Sequence, residues 1–336
     1  MSDRDVSASP VVESSAELES FSAVSRTPML IALGLAIALT VGVLVGAKVV
    51  YERAAHQPVS LSPVAAPDAS SVQCAEFLDR LPKKVMGFER AELADPAPEG
   101  AAVFAADSQR QVSVRCGVSV PAQFSVLSHT RDVDGVEWLK VTDDTPGSSL
   151  VSWYSVNRAP TVAVTTDVAD DPVVDLSEAV AGIAEAHPQP AGVPLGDLPQ
   201  AADYAAVAAQ CSAFAKALPA SVGDGYKRLD EAAVRAAGAP EGAVVYTAEG
   251  VEPVVVRCGV GFPVEYQPGA RLDDVNSVPW LTSAELKNGS TAGVFYGLGF
   301  DATVAVSTPR SVGGTAVTSV SDAMVKNLQR SQVQPQ

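Results

Sequence analysis

Histidine is scarce in this chain: His56, His129 and His187 are the only three. No pair of them is spaced like metal ligands, and none has a cysteine or carboxylate neighbourhood that would complete a zinc site. The Gly-x-Ser-x-Gly elbow, the Gly-x-x-x-x-Gly-Lys-Ser/Thr phosphate loop and the His-Glu-x-x-His helix are all missing. So is an Asp-x-Asp-x-Asp-Gly calcium loop. Gly223-Asp224-Gly225 and Gly297-Leu298-Gly299 are short and lack a strand-to-helix context. Basic residues are few, 23 Lys and Arg against 39 Asp and Glu, for a formal net charge of −16. That balance argues against phosphate-backbone binding, which needs clustered cations, and against a polybasic membrane-surface patch. The expectation is a protein that is not an enzyme, with no cofactor, no metal and no nucleic-acid partner. A hydrolase with dispersed carboxylates is the catalytic class these absences leave open.

What is present is a sequence written twice. Val114-Arg115-Cys116-Gly117-Val118 recurs as Val256-Arg257-Cys258-Gly259-Val260, and Trp138-Leu139 recurs as Trp280-Leu281. Thr161-Val162-Ala163-Val164 returns as Thr303-Val304-Ala305-Val306. From residue 98 to about residue 167 the offset stays at 142 without a gap. Upstream, Cys74-x-x-Phe77-x-x-x-Leu81-Pro82 matches Cys211-x-x-Phe214-x-x-x-Leu218-Pro219 at an offset of 137. A five-residue length difference therefore falls between about residues 90 and 98. This is a duplicated domain. Each copy is large enough to bury a core, with 47% of the chain hydrophobic.

Cysteine is also sparse, two in each copy, and four cysteines allow three pairings. The repeat favours Cys74 with Cys116 and Cys211 with Cys258, each closing its own copy; four buried free thiols are the alternative.

Residues 29–47 carry no charge, and as a helix would span roughly 28 Å, close to a bilayer core of about 30 Å. A signal peptide has a shorter apolar run behind a short basic leader. The leader here is Ser-rich and acidic, which favours an uncleaved anchor; cleavage after the small residues near Ala47 is the competitor. Flanking charges do not decide the orientation, with Arg4 and Arg26 before the segment and Lys48 and Arg53 after it. Disulfides persist outside the cytoplasm, which places the duplicated part outside. Gly34, Ala38, Gly42 and Gly46 recur at four-residue spacing, a stripe suited to close helix packing in a homodimer or against a partner helix; an Ala/Gly-rich composition produces the same stripe.

The expected organisation is a disordered cytoplasmic tail (1–28), a transmembrane helix (29–50), a stalk (51–73), repeat domain 1 (74–186), a Pro-rich linker (187–200) and repeat domain 2 (201–330). In copy one, Cys74, Phe77, Leu78 and Leu81 form a helical stripe ending at Pro82. Strands are expected at 102–105, 112–116, 150–156 and 161–166, then a helix marked by the capping-box pattern Asp175-x-x-Glu178. Copy two repeats the order: a longer helix through Tyr204, Cys211 and Leu218, strands at 243–247, 254–258, 292–296 and 303–307, and a closing helix over 317–328. The connections are too short for repeated parallel crossovers. The fold class is therefore α+β: two copies of an antiparallel sheet with helices on one face.

Five side chains are candidates for a ligand or partner surface. Arg115 and Arg257 alternate with inward-reading Val and Cys, and can either grip an anion or pack over the sheet. Trp138 and Trp280 can stack on a sugar or anchor a core. Arg158, which copy two replaces with Phe300, either marks a partner surface unique to copy one or solvates a strand edge.

Cys74, Leu81-Pro82, Arg115-Cys116-Gly117, Asp134-Gly135-Val136-Glu137-Trp138-Leu139 and Arg158-Ala159-Pro160-Thr161-Val162 form a pattern. It resembles an actinobacterial secreted or membrane-anchored family known only as a domain of unknown function. Copy two keeps Cys211, Leu218-Pro219, Arg257-Cys258-Gly259 and Trp280-Leu281, but has Ser277, Phe300 and Ala302 for Gly135, Arg158 and Pro160. The resemblance implies a bacterial envelope location and one copy per chain, so the duplication departs from it. It supplies no activity. The resulting expectation is a non-catalytic interaction or assembly protein, serving an envelope complex or a cell-wall polymer. An extracytoplasmic sensor or regulatory subunit signalling through the helix is the alternative, and an envelope enzyme comes third.

Overall fold

The computed structural model describes residues 26–55, 58–107, 109–145, 147–168, 171–283 and 290–331. The expected tail, apart from its last three residues, and His56 lie outside the described residues. The chain divides into two units, residues 1–54 and 55–336. The first holds helix α1 (Arg26–Ala55). Within it Thr27–Val50 is long and apolar enough to cross a membrane, with a mean hydropathy of 2.6. A membrane span and a signal sequence share that length and composition.

The second unit contains both copies. Copy one begins with α2 (Val72–Arg80), capped by Ser71, whose hydroxyl accepts from the Cys74 N–H. Then come β1 (Lys84–Val85), β2 (Phe88–Ala91), β3 (Ala101–Ala105), β4 (Gln111–Val118), β5 (Thr130–Val133), β6 (Val136–Thr142), β7 (Val151–Ser155), β8 (Thr161–Thr166) and α3 (Val173–Ala181). Copy two comprises α4 (Tyr204–Ala217), β9 (Ser221–Val222), β10 (Tyr226–Arg228), α5 (Glu231–Ala236), β11 (Val244–Thr247), β12 (Val254–Cys258), β13 (Asp273–Val275), β14 (Val278–Thr282), β15 (Ala292–Gly297), β16 (Val304–Pro309) and α6 (Arg310–Asn327).

Each copy builds one eight-stranded antiparallel sheet. The orders are β1-β2-β3-β4-β8-β7-β6-β5 and β9-β10-β11-β12-β16-β15-β14-β13, the same topology twice. Two meanders meet at the central pair, β4 with β8 and β12 with β16. On one face of the first sheet Val112, Val114, Cys116, Trp138, Val162 and Val164 pack with Phe77 of α2 and Leu176 of α3. Between them in β4, Ser113 and Arg115 point the other way, as strand alternation requires.

The second sheet is buried on both faces. Val254 and Val256 pack in the cluster with Phe214, while Val255 joins Val245 and Ala305 in a second cluster with Val234 of α5, Val193 and Leu195 of the linker, and Leu127 of copy one. Double burial explains the unbroken valine run of β12, which needs no polar alternation. Helix α5 occupies the place of the five-residue length difference. Asp230 caps it, accepting from the Ala233 N–H at 2.7 Å.

Two local expectations are corrected. The last helix of copy one starts at Val173, ahead of the capping-box pattern, and its N-cap Pro172 offers no side-chain acceptor; Asp171 accepts from the Val173 N–H at 3.2 Å. Asp175 instead accepts from the Met86 N–H at 2.7 Å, tying the helix to the β1–β2 turn. The closing helix begins at Arg310 and runs through Gly313 and Gly314, seven residues before the expected start at 317.

The linker is bonded to both copies. Ala191 donates to the Phe124 carbonyl and accepts from the Val126 N–H, both at 2.9 Å. The Leu195 and Leu198 carbonyls accept from Arg257. The copies also touch directly: the Thr142 N–H donates to the Gly250 carbonyl at 2.7 Å, and Asp144 accepts from the Ser311 N–H at 2.9 Å.

Candidate functional site: the duplicated side chains and the grooves beside them

The disulfides are Cys74–Cys116 and Cys211–Cys258, with Cα–Cα separations of 5.5 and 5.4 Å. Each ties the first helix of its copy to the central strand. The glycine after the second cysteine is required by close approach. At Gly117 (φ +84°) a Cβ would lie 2.3 Å from the backbone of residues 68 and 69, and at Gly259 (φ +74°) it would lie 2.4 Å from the Tyr204 ring. These are left-handed positions that disfavour a side chain in any case.

Arg115 and Arg257 do the same job in the two copies. Arg115 donates to the Ser62 carbonyl, and Arg257 to the carbonyls of Leu195 and Leu198. Each guanidinium thus crosses the outer face of its sheet to hold the segment that leads into its copy. Burial pushes the pKa of both below the usual arginine value. Arg257 is buried and Arg115 half-buried, and both spend donors on main-chain carbonyls. The anion-gripping reading is replaced by a clamp on the incoming chain.

Trp138 and Trp280 are 0% and 2% exposed, so the stacking reading is corrected as well: no ligand reaches either ring. Each indole N–H donates at 2.9 Å to a helix serine, Ser177 or Ser321. Each serine donates in turn to a carbonyl one turn back, of Val173 or Val317. A buried indole needs a partner for its N–H, and the pair supplies it in both copies. Ser177 and Ser321 could have been found from sequence only as a repeated Ser on the last helix, at a shifted offset of 144.

Arg158 is 4% exposed, and its guanidinium is turned into the fold. It donates to the carbonyls of Asn157 and Gly135, and lies 3.7 Å from Glu185. Gly135 belongs to the β5–β6 turn, where Asp134 and Gly135 both have positive φ. Copy two keeps this turn as Asn276-Ser277, again with positive φ at both residues. There Arg330 donates to the Ser277 carbonyl at 2.9 Å and lies over the Phe300 ring at 4.9 Å. Arg158 bridges to Glu185 in copy one, and Phe300 bridges to Arg330 in copy two. The cation has moved to the neighbouring chain segment while its contact with the turn persists. Arg158→Phe should therefore lose about 1–3 kcal/mol, the cost of removing a buried charge-assisted bond. Adding Glu185→Arg should recover about 1 kcal/mol of it. Denaturant unfolding followed by tryptophan fluorescence measures both, and a double variant no more stable than Arg158→Phe would contradict the swap.

Gly34, Ala38, Gly42 and Gly46 lie on α1, where a Cβ added at Gly34, Gly42 or Gly46 would meet nothing within 4 Å. Among the described residues, no three His, Cys, Asp or Glu side chains gather as metal ligands would. Two concave features stand apart from the duplicated side chains. One is a small cleft between the copies, lined by His129, Lys140, Asp144 and Glu252. Glu252 there is occupied, accepting from Ser290 and Thr291. The Tyr226 hydroxyl bonds the Glu252 carbonyl; burial, and then the charges of Asp144 and Glu252, push its pKa well above the ordinary tyrosine value. The other is an open groove of about 660 Å³ in copy two, lined by Phe262, Tyr266, Leu298 and Phe300. The larger also carries the polar side chains Gln200, Asp203, Asp301 and Thr303 in its lining.

No curated protein and no solved structure matches the chain. The family described as "Protein of unknown function (DUF3515)" matches residues 33–189 and, again, residues 180–333. The first match runs from within α1 through the first sheet to the linker and the second from the end of α3 through α6, overlapping at 180–189; the chain belongs to this family, with its domain present twice in tandem.

Proposed function

We propose that this is a non-catalytic interaction or assembly protein of the bacterial cell envelope. It is held in the membrane by α1, with both disulfide-closed copies outside the cytoplasm. Its partner is an envelope protein complex or a cell-wall polymer. The observation that carries the reading is how the repeated polar residues are spent. The arginines, tryptophans and serines found in both copies are bonded into the fold, and the open groove beside them in copy two is lined by Phe262, Tyr266, Leu298 and Phe300 together with Asp203 and Asp301. Two paired disulfides fit an oxidising compartment. The 24-residue apolar stretch of α1 fits a membrane anchor.

The test is crosslinking in living cells, followed by detergent extraction of the full chain. The reading expects the chain in the alkali-washed membrane fraction, its cysteines blocked to alkylation until reduced, and crosslinked adducts of discrete mass. A chain recovered from the cytoplasm with free thiols, or without adducts at every crosslinker length, would overturn it.

A further inference from the structure

The segment that leads into each copy lies on the outer face of its sheet, and the two copies hold it differently. In copy two, residues 193–199 are built into a core: Val193 and Leu195 are 8% and 7% exposed and cluster with Val245, Val255 and Ala305. Arg257 donates to the Leu195 and Leu198 carbonyls there, and the Gly261 N–H donates to the Pro199 carbonyl at 2.8 Å. In copy one the corresponding segment is residues 58–67, part of the stretch expected as a stalk. None of its side chains belongs to a core cluster, and Val64 is 55% exposed. Among the described residues it is held at Val59 and at Ser62. The Val59 N–H donates to the Glu92 carbonyl at 2.8 Å, and the Val59 carbonyl accepts from the Ala94 N–H at 2.9 Å. Arg115 donates to the Ser62 carbonyl.

The segment ends at a fixed point. The Asp68 N–H donates to the Gly117 carbonyl at 3.1 Å, as the Ala201 N–H donates to Gly259 at 2.9 Å in copy two. A Cβ at Gly117 would lie 2.3 Å from the backbone of residues 68 and 69, so the chain there is pressed onto the sheet. The Ser71 cap and the Cys74–Cys116 bridge follow directly. Residues from Asp68 onward are thus locked to copy one. The stretch before them has exposed main chain and few buried apolar contacts, the signature of an element that opens at low cost. Val59 is its held point nearest α1 in sequence. A pull from that end loads Val59 before it loads Ser62, so the bonds open one after another.

We infer that residues 58–67 are a releasable strap. Stowed, they shorten the tether between α1 and copy one. Released, they lengthen it by about 30 Å, at roughly 3.1 Å per residue for an extended proline-containing chain. Pro58, Pro63 and Pro67 keep the released stretch extended. The ectodomain then meets a partner at either a near or a far distance from the membrane. This strap role rests on the proposed function only where it takes α1 to be kept as an anchor.

The test is amide hydrogen exchange at residue resolution on the full chain in detergent micelles. Ala94 is the informative amide: it belongs to the domain and its acceptor is Val59, so it opens only when the strap leaves. Val59 and Ala94 are expected to exchange at one common rate, about a hundredfold faster than Gly261. Arg115→Ala should speed both by about tenfold or more, because the strap loses its charged donor. Arg115→Lys, which keeps the charge, should speed them less. Asp68 and Cys116 should keep the wild-type rate in both variants, which separates release from a general loosening of copy one. Protection of Val59 and Ala94 equal to that of Gly261 overturns the inference, as do different rates for the two, or no change in Arg115→Ala. An Arg115→Ala effect that Asp68 and Cys116 share overturns it as well. So does exchange of Val59 and Ala94 that is complete at the earliest time in the wild type, since no stowed state then exists. If the chain recovered from cells lacks α1, the anchor reading fails and the tether role fails with it, whatever the exchange rates.

Discussion

Replacing Cys74 and Cys116 together by alanine is expected to cost about 4 kcal/mol, and replacing Cys211 and Cys258 about the same. The sequence separations of 42 and 47 residues set these values, through the loop entropy each crosslink removes from the unfolded chain. The two losses should be separable, because each bridge lies within one copy. Cys74 and Cys116 are fully buried, so reduction of the native chain should wait on opening of the domain. Denaturant unfolding of each double variant, followed by probes in each copy, measures the effect. A variant that lost both transitions at once would show that the copies fold as one unit. Unchanged midpoints would show that the bridges do not support the fold.

Trp138→Ala and Trp280→Ala should each cost about 3–5 kcal/mol, the range for deleting a large aromatic from a packed core. Truncation would leave a cavity between sheet and helix and remove the donor that Ser177 or Ser321 accepts. Trp138→Phe should cost less, since most of the apolar volume remains. Calorimetric unfolding of the two variants is the measurement. A loss under about 1 kcal/mol would mean that the indoles are not core members, and would return them to the list of surface candidates.

The repeat made much of the fold legible. Fixed offsets in Cys, Trp and Thr-Val-Ala-Val gave two domains and the bridge pairing, and the Cys74/Phe77 stripe gave α2. The edge strands escaped because they are short or polar, and the interior strands β6 and β14 escaped with them because their Trp-Leu pairs break the apolar–polar alternation. β1 has two residues, and Thr130-Arg131-Asp132-Val133 of β5 carries too little apolar alternation to stand out. Gly313 and Gly314 hid the first turns of α6, since glycine opposes helix unless packing compensates. Gly313 is buried beside Thr308, which is such packing.

The candidate site was less legible, for a different reason. Arg115, Trp138 and Arg158 carry functional chemistry in principle, and only tertiary contacts show that carbonyls and a serine absorb it. The compensation of Arg158 by Arg330 was invisible at the repeat offset of 142. The offset grows to 144 on the closing helix, at Ser177 and Ser321, and to 145 beyond it, matching Glu185 with Arg330.

The central claim is that the repeated polar residues hold the fold. Denaturant unfolding of Arg257→Ala tests it most directly. The account predicts a loss of about 1–3 kcal/mol, because the carbonyls of Leu195 and Leu198 lose a charged donor. An unchanged unfolding midpoint would contradict it.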